Sequence, residues 1–221
     1  MKHMKPVMLL VCSLLIASSA FAQVAKEANK GYQSKEGRAN VVKTLTDPAR
    51  DKTQKPDVVT NALGLHPGMT VADIGTGVGY MIPYLSKAVG PSGKILAEDI
   101  QTDFLDQVKA RIASGKLTNV TPILGTETDP MLPANAADVE LVLDVYHHFD
   151  YPEKMLAAFK TALKASGRLI IIEYYQDQVA PGHIRLDAAG VIKEIESSGF
   201  KLQSKTDRIT ARQFMLTFTK K

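Results

Sequence analysis

The chain has no tryptophan and a single cysteine, Cys12, and aromatic residues make up only 6% of its 221 positions. One cysteine excludes an internal disulfide framework and any zinc site built on cysteines. No apolar run reaches the roughly 20 residues that a bilayer-spanning helix needs, so a multi-pass membrane protein is excluded. No block of Lys and Arg interleaves with aromatics, and nucleic acid is not an expected partner. Gly-Lys-Ser/Thr and Gly-x-Ser-x-Gly are both missing, which argues against a phosphate-gripping loop and against a serine hydrolase. What remains is an ordinary globular composition, 45% hydrophobic and 23% charged, with enough apolar side chains to bury a core.

The first 22 residues read as an address. Lys2 and Lys5 form a positive start, Val7 to Ala17 an apolar stretch, and Ala20-Phe21-Ala22 a small-x-small cleavage site. Processing after Ala22 would remove Cys12 and half of the formal net charge of +4. The expected organisation is therefore a secretory signal peptide at 1–22, a polar leader or N-terminal helix at 23–55, and one domain at 56–221. The expected location is periplasmic, with no stable membrane insertion once the signal is cleaved. An uncleaved signal acting as a tether is the other reading of the same segment. Nothing in the sequence speaks to oligomeric state.

Beyond Leu65-His66-Pro67-Gly68, a turn, short apolar runs alternate with amphipathic stretches. Strands are expected at Thr70–Ile74, Lys94–Asp99, Val120–Leu124, Val139–Leu143 and Arg168–Tyr174. Helices are expected at Val78–Val89, Thr102–Ser114, Pro152–Leu163 and Leu186–Ser198, with a short one past Pro56-Asp57. The runs lack polar alternation, as strands covered on both faces should. Lys201–Arg208 and Gln213–Thr219 read as a closing pair. The fold class is α/β: a doubly wound, Rossmann-like three-layer sandwich, mostly parallel and seven-stranded, with a C-terminal antiparallel β-pair.

Val71-Ala72-Asp73-Ile74-Gly75-Thr76-Gly77-Val78-Gly79-Tyr80 carries the most information. A buried strand runs into three glycines at alternate positions and then into a helix. Such a loop lets a ligand approach bare backbone. Asp99 ends the next strand, where an acidic side chain can accept both hydroxyl protons of a ribose. The dinucleotide fingerprint wants a third glycine where Tyr80 stands. The spacing suits instead a nucleoside joined to a short zwitterion, with Asp73 placed to hold an ammonium group.

The run from Leu65 to Tyr80 resembles the first motif of class I S-adenosylmethionine-dependent methyltransferases. Lys94 to Ile100 resembles the second, with Asp99 at the ribose-binding acid. Leu141 to Phe149 resembles the strand-four segment of small-molecule methyltransferases related to quinone-ring methylases, and Leu163 to Leu169 resembles the turn into strand five. The resemblance implies S-adenosylmethionine as cofactor and a small-molecule acceptor. It also implies cofactor contacts from Asp73, Gly75, Thr76, Gly77, Gly79, Tyr80, Asp99, Ile100 and Asp144. One departure stands out: Thr126 occupies the place where the family usually has an aspartate for the adenine amino group, so Glu127 or Thr128 is expected to substitute. No Asn/Asp-Pro-Pro-Tyr follows strand four, which counts against amino-group methylation.

Tyr146, His147 and His148 follow strand four on the edge where ligands of such sheets sit, and either histidine is a candidate general base. The alternative for each is packing at the start of the next helix. With His183 and Asp144 they show no HxH, HxxxH or related spacing, so no metal site is expected. Tyr174, Tyr175, Gln176, His183 and Arg185 form a polar stretch placed to cover a substrate pocket. The leading reading is methyl transfer to an unidentified small acceptor in the cell envelope. The competing one is a non-catalytic ligand-binding protein on the same scaffold, which Thr126 and the export pattern favour.

Overall fold

The computed structural model describes residues 25–221. The expected signal segment 1–22 lies outside the described residues. Seven strands form one sheet in the order β3-β2-β1-β4-β5-β7-β6. They are β1 (Thr70–Ile74), β2 (Lys94–Asp99), β3 (Val120–Leu124), β4 (Ala137–Leu143), β5 (Leu163–Tyr174), β6 (Phe200–Thr210) and β7 (Gln213–Lys220). Strands β1 to β5 pair in parallel. β7 runs antiparallel between β5 and β6, which makes the C-terminal pair. The order reverses at β1, with β2 on one side and β4 on the other; this is the switch point at which open α/β sheets bind ligands.

Why the strands read as unbroken apolar runs is visible in their burial. Val139, Leu141, Leu143, Ile170 and Ile172 enter one core, with Val59, Leu63, Leu85 and Val89. Their sequence neighbours Val142, Leu169 and Ile171 enter the other, with Leu156, Phe159, Val191 and Ile195. β4 and β5 thus feed two layers of helix, and over Val139–Leu143 and Leu169–Ile172 only Glu140 interrupts the apolar run. The helices are α1 (Lys35–Leu45), α2 (Arg50–Gln54), α3 (Pro56–Ala62), α4 (Ile82–Val89), α5 (Thr102–Gly115), α6 (Pro152–Ala162) and α7 (Ala188–Ser197). Among the described residues, no helix is long and apolar enough to cross a membrane.

Several boundaries differ from expectation. α4 starts at Ile82 and not at Val78. Gly79 N–H donates to Thr76 O at 3.0 Å and Ile82 N–H to Gly79 O at 3.2 Å, so these residues are spent on turns. β4 and β5 begin earlier than Val139 and Arg168, because Ala137 pairs with Leu163 beyond a register irregularity. The stretch before Pro56 is no free leader. It holds α1 and α2, and it is tied to the domain by Arg38 Nε to Asp103 at 2.7 Å and by Gln54 Nε2 to Gln213 at 3.3 Å.

Candidate active site

The glycine loop leaves β1 at the carboxyl edge of the sheet and is bonded to the end of β2. Gly75 N–H donates to Glu98 Oε2 at 3.1 Å, and Gly77 N–H donates to Asp99 Oδ2 at 2.8 Å. Thr76 N–H donates to Glu98 O at 2.8 Å, and its hydroxyl to Asp73 Oδ2 at 2.6 Å. The sequence requirement here is conformational. Gly75 has φ +61°, and a Cβ there would lie 2.6 Å from Val145 Cγ1; Gly77 has φ +57°, and a Cβ would lie 3.1 Å from Leu45 Cδ1. Asp99 Oδ1 accepts from Gln101 N–H at 2.9 Å, which turns the carboxylate toward the loop.

Around this loop lies a cavity of about 420 Å³. Asp73, Gly75, Thr76, Gly77, Tyr80 and Asp99 line it from the β1 and β2 side. Ile100, Glu127, Asp144 and His148 line it as well. Gly79, Thr128, Tyr146 and His147, also expected at the site, do not. Gly79 packs toward Ile82 and Val108 under the loop. Thr128 N–H donates to Thr126 Oγ1 at 3.3 Å. That hydroxyl also accepts from Asp129 N–H at 2.9 Å, so the Thr126 side chain is committed to its own turn. Glu127 is left as the acid at that end of the cavity.

The N-terminal segment supplies a wall that the sequence reading did not foresee. Asn29, Tyr32, Arg38, Leu45 and Arg50 all face the cavity. Arg50 stacks on the Tyr80 ring, 4.0 Å from its centroid, and Tyr80 donates its hydroxyl to Asp51 at 2.6 Å. No motif marks these residues. Their only sequence signal is that an otherwise polar stretch contains Leu45 and aromatic Tyr32.

The cavity is strongly acidic. Burial pushes the Asp73 and Asp99 carboxyls up to about 6 and Asp144 to about 7, and holds Glu98 well above the usual carboxylate range. Arg50 opposes the shift at Asp73 and Asp144. Asp144 sits in the left-handed region at φ +58°, just past β4. Its Oδ1 accepts from Gln213 Nε2 at 2.6 Å, and the nearby Tyr174 hydroxyl also favours the charged carboxylate. An acid held in the left-handed region and facing a cavity points to a ligand.

After Asp144 the chain makes a 3-10 turn, Tyr146–His148. Three residues per turn send successive side chains about 120° apart. Tyr146 turns into the core, donating its hydroxyl to Glu194 Oε1 at 2.5 Å beneath the Arg185 guanidinium. It packs the core and does not line the cavity. His147 is 3% exposed, and its Nδ1 meets Glu173 Oε2 at 2.6 Å. His148 reaches the cavity, with Nδ1 on Asn29 Oδ1 at 2.7 Å and its ring edge-on to Tyr32. Burial holds His147 down at about 3 and His148 well below the ordinary imidazole value, so both are neutral at physiological pH. The stretch after β5 does not cover this cavity. Tyr175 packs on Phe214, Arg185 pairs with Glu194, and His183 instead approaches His147 and His148.

Comparison with known proteins agrees with this geometry. Residues 72–171 match the family described as "Methyltransferase domain". A crystal structure of an S-adenosylmethionine-dependent methyltransferase from Aquifex aeolicus is similar with a TM-score of 0.76 and 29% identity, covering 81% of this chain and 96% of that one. The ubiquinone/menaquinone biosynthesis C-methyltransferase UbiE of Salmonella arizonae is 26% identical over 119 residues, 53% of this chain and 47% of UbiE. An uncharacterised 37.1 kDa protein in transposon TN4556 of Streptomyces fradiae is 30% identical over 128 residues, 58% of this chain and 36% of that protein. The chain thus spans less than half the length of these curated relatives.

Proposed function

We propose that this chain, whose residues 72–171 match the methyltransferase-domain family, transfers a methyl group from S-adenosylmethionine to a small-molecule acceptor. The observation that carries the reading is the ring of carboxyls, buried Asp73 and Asp99 with half-buried Asp144, around a glycine loop open to the cavity. Three acids driven up by burial are costly in an empty pocket and are relieved by a cation. The residues fit the cofactor. Asp99 would accept ribose hydroxyls, the bare backbone at Gly75 and Gly77 would pass the methionine part, and Asp73 and Arg50 would meet its ammonium and carboxylate. Glu127 would take the adenine amino group in place of the usual aspartate.

Bound there, the cofactor supplies an electrophilic methyl on a sulfonium that leaves as a neutral thioether. The protein's part is mainly positioning. Tyr32, Arg50 and Leu45 close the cavity on the side of the N-terminal segment and keep water from it. His148 offers a neutral ring at the wall; with Nδ1–H given to Asn29, its Nε2 is free to accept a proton or hydrogen bond from a hydroxyl acceptor. His147, turned away behind it, holds no such place. The acceptor class is a hydroxyl-bearing or activated-carbon compound, and the site of action is the cell envelope, supported by the Lys2, Lys5, Ala20–Ala22 export pattern.

The test is calorimetry with S-adenosylhomocysteine, followed by turnover across phenols, quinols and small acids. Stoichiometric binding with methylation of one class supports the proposal. Binding without turnover on any acceptor favours the ligand-binding alternative, and no binding defeats both. N-terminal sequencing of the protein from a periplasmic fraction tests the location: a chain starting at Gln23 supports it, and an intact Met1 in the cytoplasm overturns it.

A further inference from the structure

Three histidines converge beside the cavity although no ligand spacing joins them. One ring nitrogen each from His147, His148 and His183 lies within 4.8 Å of the other two. We propose that this cluster binds a divalent first-row transition metal ion of the zinc class through three neutral imidazoles, leaving one coordination position open. The site stands on these side chains alone; its use in orienting the oxygen of a hydroxyl acceptor rests on the methyl-transfer reading above.

The ring orientations carry the argument. Glu173 accepts backbone N–H groups from Tyr174 at 2.7 Å and from His147 at 3.3 Å, so its carboxylate is an acceptor. A bound cation beside the rings favours the ionised carboxylate, and the His147 Nδ1 against it then holds the proton. That places the lone pair on Nε2, which is buried and has no hydrogen-bond partner among the described residues. His148 is held the same way by a different group. The Asn29 amide nitrogen donates to His148 O at 2.9 Å and toward Asp150 at 3.5 Å, which leaves Oδ1 to face His148 Nδ1. Two adjacent rings are thus locked as Nδ1–H tautomers, one by a carboxylate and one by an amide oxygen. This is the outer-shell arrangement that orients histidine ligands on metals.

His183 closes the set from the loop between β5 and α7. Metal–nitrogen bonds of about 2.0–2.1 Å put tetrahedral ligand nitrogens roughly 3.4 Å apart, so His183 must move inward by roughly 1 Å. Its neighbour Gly182, at φ +77°, has nothing within 4 Å of a Cβ position, and the loop has room for that step. The nearby Arg185 cation does not forbid a metal, because Glu194 pairs with both of its terminal nitrogens. All-imidazole ligation with no oxygen donor selects zinc, cobalt or nickel over magnesium and calcium. His148 belongs to both the cluster and the cavity wall. A bound ion would therefore take up the His148 Nε2 lone pair that the metal-free ring offers the acceptor, and would hold the acceptor oxygen in its place.

The test uses the full chain, stripped with a chelator and titrated with Co²⁺ with no S-adenosyl ligand present. The expected result is one cobalt per chain with the intense visible bands of a tetrahedral site, displaced by Zn²⁺. His183→Ala, on a surface loop, should lower affinity at least tenfold with unchanged circular dichroism, and His148→Ala should do the same. Asn29→Ala, which removes no ligand, should weaken binding about 10–100-fold. His66→Ala, on an exposed turn, should leave it unchanged. Absence of stoichiometric cobalt overturns the proposal, and so does cobalt binding that survives both His183→Ala and His148→Ala. Either failure leaves methyl transfer, read by S-adenosylhomocysteine calorimetry, untouched.

Discussion

Replacing Asp99 by Asn should stabilise the ligand-free protein and cripple its ligand affinity. The carboxyl is 6% exposed, and burial raises it from 3.8 to about 6. At pH 8 it is ionised in both folded and unfolded chains. The folded state therefore carries a cost of about 3 kcal/mol, at 1.36 kcal/mol for each unit of the shift. A folded-state value above the unfolded one means the wild type loses stability as pH rises between about 4 and 6. Asn carries no such cost. Its one side-chain oxygen can accept from Gly77 N–H or from Gln101 N–H but not from both, so the lost backbone hydrogen bond takes back about 1–2 kcal/mol of that gain. Binding moves the other way: two charge-assisted hydrogen bonds to ribose hydroxyls become neutral or are lost. That is about 2–3 kcal/mol, or roughly 30–150-fold in the dissociation constant of S-adenosylhomocysteine. Thermal unfolding at pH 4 and pH 8, paired with calorimetry, reads both. The Asn variant should gain most at pH 8 and little at pH 4. If it melts lower at pH 8 and binds as well as the parent, the carboxylate is a structural anchor and the ribose assignment is wrong.

The same acids predict that S-adenosylmethionine, a sulfonium cation, binds more weakly as pH falls through 7 and 6, where Asp144, Asp73 and Asp99 gain protons. The uncharged thioether product should lose less over that range, and titrations of both at pH 8 and 5.5 decide it. Gly77→Val should weaken binding at least tenfold while loosening the end of α1, because φ +57° and the 3.1 Å approach to Leu45 both resist a side chain; faster hydrogen exchange at residues 40–46 would show the second effect. His148→Gln should lower turnover about 10²–10⁴-fold with little change in cofactor affinity. His147→Gln should act through stability and give a lower melting temperature. With His148 held well below 6.5 by burial, its own ionisation should put no step in the rate between pH 6 and 8. A rise centred near 6.5 that His148→Gln abolishes would contradict that burial.

The strands were legible because both faces of the sheet are covered, so Leu169–Ile172 is apolar throughout and Val139–Leu143 is interrupted only by the buried Glu140. The loop was legible because Gly75 and Gly77 serve a backbone conformation that few other residues adopt. Tyr146 looked like a site residue by its place after β4, but a 3-10 turn rotates it into the core while delivering His148 outward. No sequence spacing could report that rotation. The N-terminal wall and His183 were invisible for a different reason: they reach the site by tertiary packing, and Asn29 touches His148 only because α1 folds back over Asp103. Glu173 was the overlooked clue, an acid closing a buried apolar strand beside Asp144.

The antiparallel insertion of β7 between β5 and β6 fixes when the cavity can be finished. As the chain leaves the ribosome, the edge of β5 that β7 will cover, Arg168 to Tyr174, has no partner until β7 emerges. Gln213 opens that strand, and its amide is the hydrogen bond that grips Asp144. The earliest folded portion, β1 with β2 and β4, therefore carries a complete glycine loop but an unanchored Asp144. A nascent chain in that state exposes an apolar strand edge open to unwanted pairing. Competence arrives only with the β6–β7 hairpin, so a stall in synthesis before it would leave a chain that has its loop and lacks its grip.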